Sequence, residues 1–353
     1  MNRIQKIVTC FPAYQIDALL LTGTVNRQWA TGFASSAGAL VITKEESVFI
    51  TDSRYIEVAK ARIEGARVME IGVGKSYVDM IDGILRQHGV QSLGFEEETM
   101  TQGAYAAYQK KIDAKLVPAS ELVDALRWVK SPEEVAYIQK AQDITDQTFA
   151  QVLRLITPEM TERELAAEIV YHLLKNGSER NAFNPIVVSG PRSSMPHGVP
   201  GDHKLTGFVT IDFGAVYEGY CADMTRTIAV GPVTDEMRRV YDTVLEAQLA
   251  GIAAARGGVI GRAVDRAARD VIEAAGYGAC FGHGFGHSLG LEIHESLRAA
   301  PQEGRVLPVG AVISAEPGIY LPGQFGVRIE DLIYLTEDGS ENLTGTTKEL
   351  IVL

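Results

Sequence analysis

One order of elements occurs twice in the latter part of this chain: two helices, then an extended region. Ser131-Pro132-Glu133-Glu134 places a capping serine, a proline at the first helical position and a glutamate at the third. It predicts a helix from Pro132 to about Ile156. Thr161-Glu162-Arg163-Glu164 is a second capping box, and Asn176-Gly177 closes the helix it opens. An extended region follows and ends in a hairpin, Phe208–Val230. Two more helices are then predicted, at about Asp235–Ala255, stopped by Gly257-Gly258, and at Arg262–Ala275, stopped by Gly276. A second extended region runs from Phe281 to Leu335. The repeat lies in element order and not in residue identity. Two such halves would bring two sheets together with helices outside, an α+β architecture.

The first 125 or so residues read differently. Ala18–Leu21, Ala39–Thr43 and Ser47–Thr51 are predicted strands, Tyr55–Ile63 and Tyr77–Gln87 predicted helices, and Ser92–Phe95 and Lys115–Val117 shorter apolar runs. This is the pattern of a small α/β domain. A linker is placed at Asp124–Lys130, giving domains at 1–125 and 131–353.

Composition narrows the function. The 353 residues carry a net charge of −12, which argues against nucleic acid as the main partner. No apolar run is long enough to span a membrane. Arg3, Lys6 and Pro12 make the N-terminus a poor signal peptide. The three cysteines, Cys10, Cys221 and Cys280, form no CxxC pair and suit a reducing cytoplasm.

Five residues carry the chemistry: Asp212, Asp223, His287, Glu316 and Glu330. Each sits in a segment that reads as a strand or strand edge. Four carboxylates and one imidazole could hold two divalent cations, a device for activating water. Asp212 and Asp223 come from the first half of the duplication and the other three from the second, so the interface between halves is a natural meeting place. If the hairpin turns at Tyr217-Glu218, the two aspartates face each other directly, and carboxylates so close would repel strongly without a cation. A pair of surface aspartates is the alternative. Arg328 and Glu330, two apart, share a face if that segment is a strand, or form a surface ion pair worth little.

Gly282-His283-Gly284-Phe285-Gly286-His287 is followed by the alternating run Leu289/Leu291/Ile293 and by His294. A dinucleotide loop would need a helix after the glycines, and the following residues read as extended. Gly74-Lys75-Ser76 is no phosphate loop either, because Met69 stands where its first glycine belongs. Cys221, two before Asp223, reads as a small packed hydrophobe.

IDFGAVYEGYCADMTRT, GHGFGHSLGLEIHE, AEPGIY and VRIED together resemble the creatinase/prolidase/methionine aminopeptidase family of pita-bread metallopeptidases. Ala30–Phe33 and Thr51–Tyr55 resemble the accessory domain of its Xaa-Pro peptidase branch. The resemblance implies a pita-bread catalytic domain behind a creatinase-like N-terminal domain that limits substrate length and makes dimer contacts. It implies that Asp212 binds one metal, that His287 and Glu316 bind the other, and that Asp223 and Glu330 bridge them. His197, in Ser189–His197, and His294 would contact substrate or oxyanion, Glu316 would relay protons, and Arg328 would support the site and face the substrate's carboxylate. Ser314-Ala315 depart from the family pattern before Glu316, at positions that are not ligands.

Oxygen-rich donors favour Mn2+ or Co2+, with Zn2+ or Fe2+ as alternatives. A metal-bridging hydroxide would cleave the Xaa-Pro bond of dipeptides, as in prolidase, or of longer proline-containing peptides, as in aminopeptidase P. The resemblance implies a homodimer. A creatinase-like or purely peptide-binding relative would be expected to have lost ligands that this chain retains.

Overall fold

The computed structural model describes all 353 residues and divides into two compact units, Met1–Arg127 and Trp128–Leu353. No helix is long and apolar enough to cross a membrane.

The first unit is built on a six-stranded sheet in the order Arg67–Glu70, Ser47–Thr51, Ala39–Thr43, Ala18–Leu21, Ser92–Phe95, Lys115–Pro118. Ala39–Thr43 runs antiparallel to both neighbours, and the remaining pairs are parallel. Every residue of the three strands from Ser47–Thr51 to Ala18–Leu21 is buried, so both sheet faces are covered there and the strands read as unbroken apolar runs.

Four helices of the N-terminal region went unread in the sequence: Arg3–Tyr14, Thr24–Thr31, Gln102–Lys111 and Ser120–Trp128. The first has a capping box from Asn2 and Gln5, and Pro12 is tolerated in its last turn. Thr24–Thr31 has no side-chain cap of its own. Its N-terminus is held by the buried Glu96, whose carboxylate accepts from the Thr22 and Gly23 amides at 2.6 and 2.8 Å and from Asn26 Nδ2 at 2.8 Å.

The second unit carries the duplicated order. Helices Pro132–Val152 and Glu162–Lys175 precede an antiparallel sheet of Ile186–Ser189, Gly207–Phe213 and Met224–Val230. Helices Asp235–Ala254 and Gly261–Ala274 precede a second sheet of Val312–Ala315, Asp331–Leu335 and Ser340–Asn342. The short pairs Gly286–His287 with Arg298–Ala299, and Gly318–Leu321 with Phe325–Arg328, complete the second half. One core joins the halves: Phe208 and Ala229 of the first sheet pack with Tyr241, Phe285, Ile313 and Ile333 of the second half.

The expected register of the long hairpin is wrong by two. Its turn is Glu218-Gly219, between Tyr217 and its partner Tyr220. Both turn residues have positive φ, 48° and 80°, as a two-residue hairpin of matching twist requires. Asp212 therefore faces Thr225 and not Asp223. Asp223 stands opposite Gly214, diagonal to Asp212 on the same face. A Cβ on Gly214 would lie 1.8 Å from the Ala222 carbonyl oxygen. The segment after His287 is also not extended. Residues 289 to 297 form a series of bends, closed by the Glu295 amide on the Ser288 carbonyl at 2.9 Å.

Gly214→Ala should destabilise the second unit by about 3 kcal/mol, because backbone and not a flexible side chain blocks the new methyl. Urea or thermal unfolding reads this, and unchanged stability would contradict the close strand approach.

Candidate metal centre

The eight side chains singled out in the sequence line one cavity of about 770 Å³ in the second unit. Asp212 comes from within the strand Gly207–Phe213, and Asp223 directly precedes Met224–Val230. His287 ends the pair Gly286–His287. Glu316 follows Val312–Ala315, and Glu330 lies between Phe325–Arg328 and Asp331–Leu335. Strand ends deliver each group, so sheet hydrogen bonds fix their backbones while their side chains stay clear of the ladder.

Asp223, His287 and Glu330 present donor atoms within 4.8 Å of one another. His287 Nε2 lies 3.6 Å from Asp223 Oδ2 and 3.2 Å from Glu316 Oε1. Ser314 Oγ donates to Glu316 Oε1 at 3.0 Å and accepts from the His287 amide at 3.0 Å. The serine that departs from the family pattern thus ties two of the five groups together.

Arg328 is held on every side. Its Nη2 donates to Asp212 Oδ2 at 2.5 Å, Nη1 to the Tyr320 hydroxyl at 3.0 Å and the Pro196 carbonyl at 3.2 Å, and Nε to Thr225 Oγ1 at 2.9 Å. Thr225 Oγ1 donates onward to Glu330 Oε2 at 2.7 Å. The alternative of a surface ion pair between Arg328 and Glu330 is therefore not what forms: both are buried, and Thr225 stands between them. The expected reach of Arg328 toward the substrate's carboxylate is not seen either, since its nitrogens are committed to Asp212, Tyr320, Pro196 and Thr225.

Burial dominates the electrostatics. It pushes the Asp223 and Glu330 carboxyls well above the ordinary carboxylate range, and the surrounding acids push in the same direction. Asp212 is also raised by burial, against the pull of Arg328. Burial works on Glu316 too, but the His287 hydrogen bond and nearby positive charge outweigh it and bring that carboxyl down to about 2. Burial and then His287 push His294 down to about 4.

Asp212 Oδ1 and Glu330 Oε1 are buried with no hydrogen-bond partner. The other oxygen of each carboxyl is pinned, by Arg328 and by Thr225, so the free one has a fixed direction. A buried acceptor without a donor is costly. Four carboxylates with one imidazole form a hard, oxygen-rich donor set for divalent cations. The residues present therefore fit a metal group, and Asp212, Asp223, His287, Glu316 and Glu330 could hold it.

Three further features line the cavity, none of them given a role in the sequence reading. His283 is half-buried in the cavity wall, with Nδ1 directed to the Gly284 carbonyl at 2.8 Å and Nε2 accepting from the Tyr320 hydroxyl at 2.9 Å. Arg298, four after His294, lines the cavity. Phe183, Pro185, Ile186 and Ile293 make an apolar wall. No motif marks Arg298 in advance; the bends of residues 289 to 297 bring it round.

Residues 136–337 match metallopeptidase family M24, and residues 3–129 match the creatinase/prolidase N-terminal domain. The chain is 41% identical to the uncharacterized peptidase YqhT of Bacillus subtilis (strain 168), over 99% of this chain and 100% of that one. Among solved structures, a Xaa-Pro dipeptidase from Bacillus anthracis superposes with a TM-score of 0.97 at 41% identity, over 99% of each chain. An X-Pro aminopeptidase from Thermotoga maritima MSB8 superposes with a TM-score of 0.93 at 34% identity, over 100% of each.

Glu330→Gln is a neutral isostere of a carboxyl whose charge burial disfavours. It should leave metal-free stability nearly unchanged but remove the gain that Mn2+ confers on the wild type. That gain is about 2.7 kcal/mol at a hundredfold excess over Kd. Melting curves with and without Mn2+ read it, and an undiminished gain in the variant would remove Glu330 from the donor set.

Proposed function

The chain belongs to metallopeptidase family M24, and on that premise we propose that it hydrolyses the Xaa-Pro bond of dipeptides at a centre of two divalent cations, Mn2+ or Co2+ by donor type. The observation that carries the reading is the pair of fixed, partnerless oxygens, Asp212 Oδ1 and Glu330 Oε1, on a cavity lined by four histidines and an apolar wall.

Bound cations would supply Lewis acidity, lowering the pKa of a water and polarising the scissile carbonyl. The chain's own groups do the rest. Glu316, held ionised at about 2, can accept the proton of the attacking water and return it to the departing proline nitrogen. His294, driven neutral with its ring 4.4 Å from that of His287, can donate an N–H to the developing oxyanion. His197 approaches the same cavity on the loop after Ile186–Ser189. Phe183, Pro185, Ile186 and Ile293 offer the apolar contacts a pyrrolidine ring needs.

Arg298 supports the dipeptide over a longer peptide. Besides Arg328, which is committed to Asp212, it is the only arginine or lysine on the cavity wall. Burial and then Arg305 disfavour its charge, while Glu316 and Glu303 favour it, and its Nη1 donates to the Glu295 carbonyl. A dipeptide places its C-terminal carboxylate one residue beyond the scissile bond, within reach of such an anchor.

With Mn2+ supplied, Ala-Pro should be cleaved with higher kcat/KM than Ala-Pro-Ala. Arg298→Met should reduce kcat/KM on Ala-Pro by about tenfold or more, from loss of a charged hydrogen bond, and leave Ala-Pro amide little affected. Equal losses on the acid and the amide would remove the anchor. No cleavage of any Xaa-Pro substrate would sink the proposal.

A further inference from the structure

We propose that Arg192, clasped to the buried Glu162, is a positioning residue for His197; this rests on the reading above, in which His197 meets the substrate.

His197 lies in the loop that follows Ile186–Ser189, and its ring is exposed to the cavity. No hydrogen bond of the chain holds that ring, so its position depends on the backbone beneath it. Two arginines hold that backbone. On one side Arg328 Nη1 donates to the Pro196 carbonyl at 3.2 Å. On the other Arg192 Nη2 donates to the Val199 carbonyl at 2.7 Å. His197 is the residue after the first carbonyl and two before the second.

Arg192 is itself anchored. Its Nε donates to both carboxylate oxygens of Glu162, each at 3.1 Å. Glu162 is fully buried at the first turn of the helix Glu162–Lys175, while the Arg192 side chain is 26% exposed. The same carboxylate accepts from the Ser189 amide at 2.8 Å and the Gly201 amide at 2.9 Å. One buried group therefore grips the point where the loop leaves the sheet and the point just beyond its tip, and Arg192 carries that grip into the middle. A removed clasp leaves the histidine present and the cations bound but the donor misplaced, and a displacement of about 1 Å can cost a hundredfold in rate.

The test is a double-mutant cycle on the Mn2+-loaded protein with Ala-Pro, combined with hydrogen exchange of residues 189 to 201. Arg192→Met should lower kcat/KM by about tenfold or more, mostly in kcat. In a His197→Ala background the same change should cost less than about twofold. Arg192→Lys, which keeps the charge for Glu162 but not the reach to Val199, should fall between wild type and Met. If the Met variant does not fold, the Lys variant with and without His197→Ala reads the same coupling. Bound metal should stay at the wild-type level, and exchange should quicken around Val199 and Gly201.

Equal losses with and without His197, or no loss, overturn the proposal, as does unchanged exchange. If the wild type leaves Ala-Pro uncleaved, the proposed function fails by itself, and the exchange measurement still decides whether Arg192 holds the loop.

Discussion

Arg328 is the one fixed cation set against the buried Asp212, Asp223 and Glu330 and the half-buried Glu316, and the arrangement of the second unit follows from that imbalance. It neutralises Asp212 through the 2.5 Å contact between Nη2 and Oδ2. Through Thr225 it orients Glu330 without touching it. One guanidinium cannot offset four acids, and burial pushes Asp223 and Glu330 toward their neutral forms. Bound divalent cations would reverse that shift by favouring the ionised carboxylates. The cage is thus rigid before any metal arrives: one oxygen of Asp212 and one of Glu330 are held, and the other two stay free and directed.

The two halves solve the neighbouring problem, holding a histidine over the cage, in the same way. In the first half, Glu162 at the start of the second helix takes the Ser189 amide, and Arg192 takes the Val199 carbonyl. In the second half, Asp265 in the second helix takes the Phe285 amide at 2.9 Å. Its partner Arg269 takes the Phe281 and His283 carbonyls at 2.9 and 2.7 Å. Each half spends a buried acid and an arginine on the segment that carries a cavity histidine, His197 in one case and His283 in the other. Such pairs add little net stability. What they provide is placement, because the acid sits on a packed helix and the arginine holds one or two carbonyls of an otherwise irregular loop.

Local chemistry was legible in the sequence, and long-range chemistry was not. Ser131 with Glu134 and Thr161 with Glu164 form the capping boxes their spacing announced. The helix at Thr24 could not be read, because the carboxylate at its N-terminus is Glu96, seventy-odd positions away. The hairpin was recognisable, but its turn was placed one residue early. That choice depends on which pair takes positive φ, and Gly219 with Glu218 does so more easily than Glu218 with Tyr217. The alternation of Leu289, Leu291 and Ile293 suggested a strand; the structure bends there instead, and a Cβ on Gly290 would lie 2.6 Å from Glu295 Oε1. That bend is what carries Arg298 to the cavity, so the same misreading hid the anchor. The acids and His287 stood out as residue types, but how Asp212 and Glu330 are pinned depends on Arg328 and Thr225, about a hundred positions apart.

Behind the cage the charges are fully matched, and this allows the front to remain unsatisfied. Arg226 and Asp331 follow Thr225 and Glu330 directly, so strand alternation turns them to the opposite side. Both are buried and pair at 2.8 Å. Lys348 Nζ and Asn342 Nδ2 complete Asp331 at 2.7 and 3.0 Å. Arg226 also donates to the Glu330 carbonyl at 2.5 Å and to the Thr346 and Thr347 carbonyls. The Glu330 amide, in turn, bonds the Thr225 carbonyl at 3.1 Å. The contact between Thr225 and Glu330 is therefore clamped from the rear by an ion pair that reaches the 346–353 segment, which itself pairs with Ala229 and Gly231. Loss of Asp331 would strand the Arg226 charge in the core, whereas loss of Arg226 would leave Asp331 to Lys348 alone. The strain of bare carboxylates at the front cannot relax by shifting the strands, because the rear fixes them; it can be relieved only by protons or by cations.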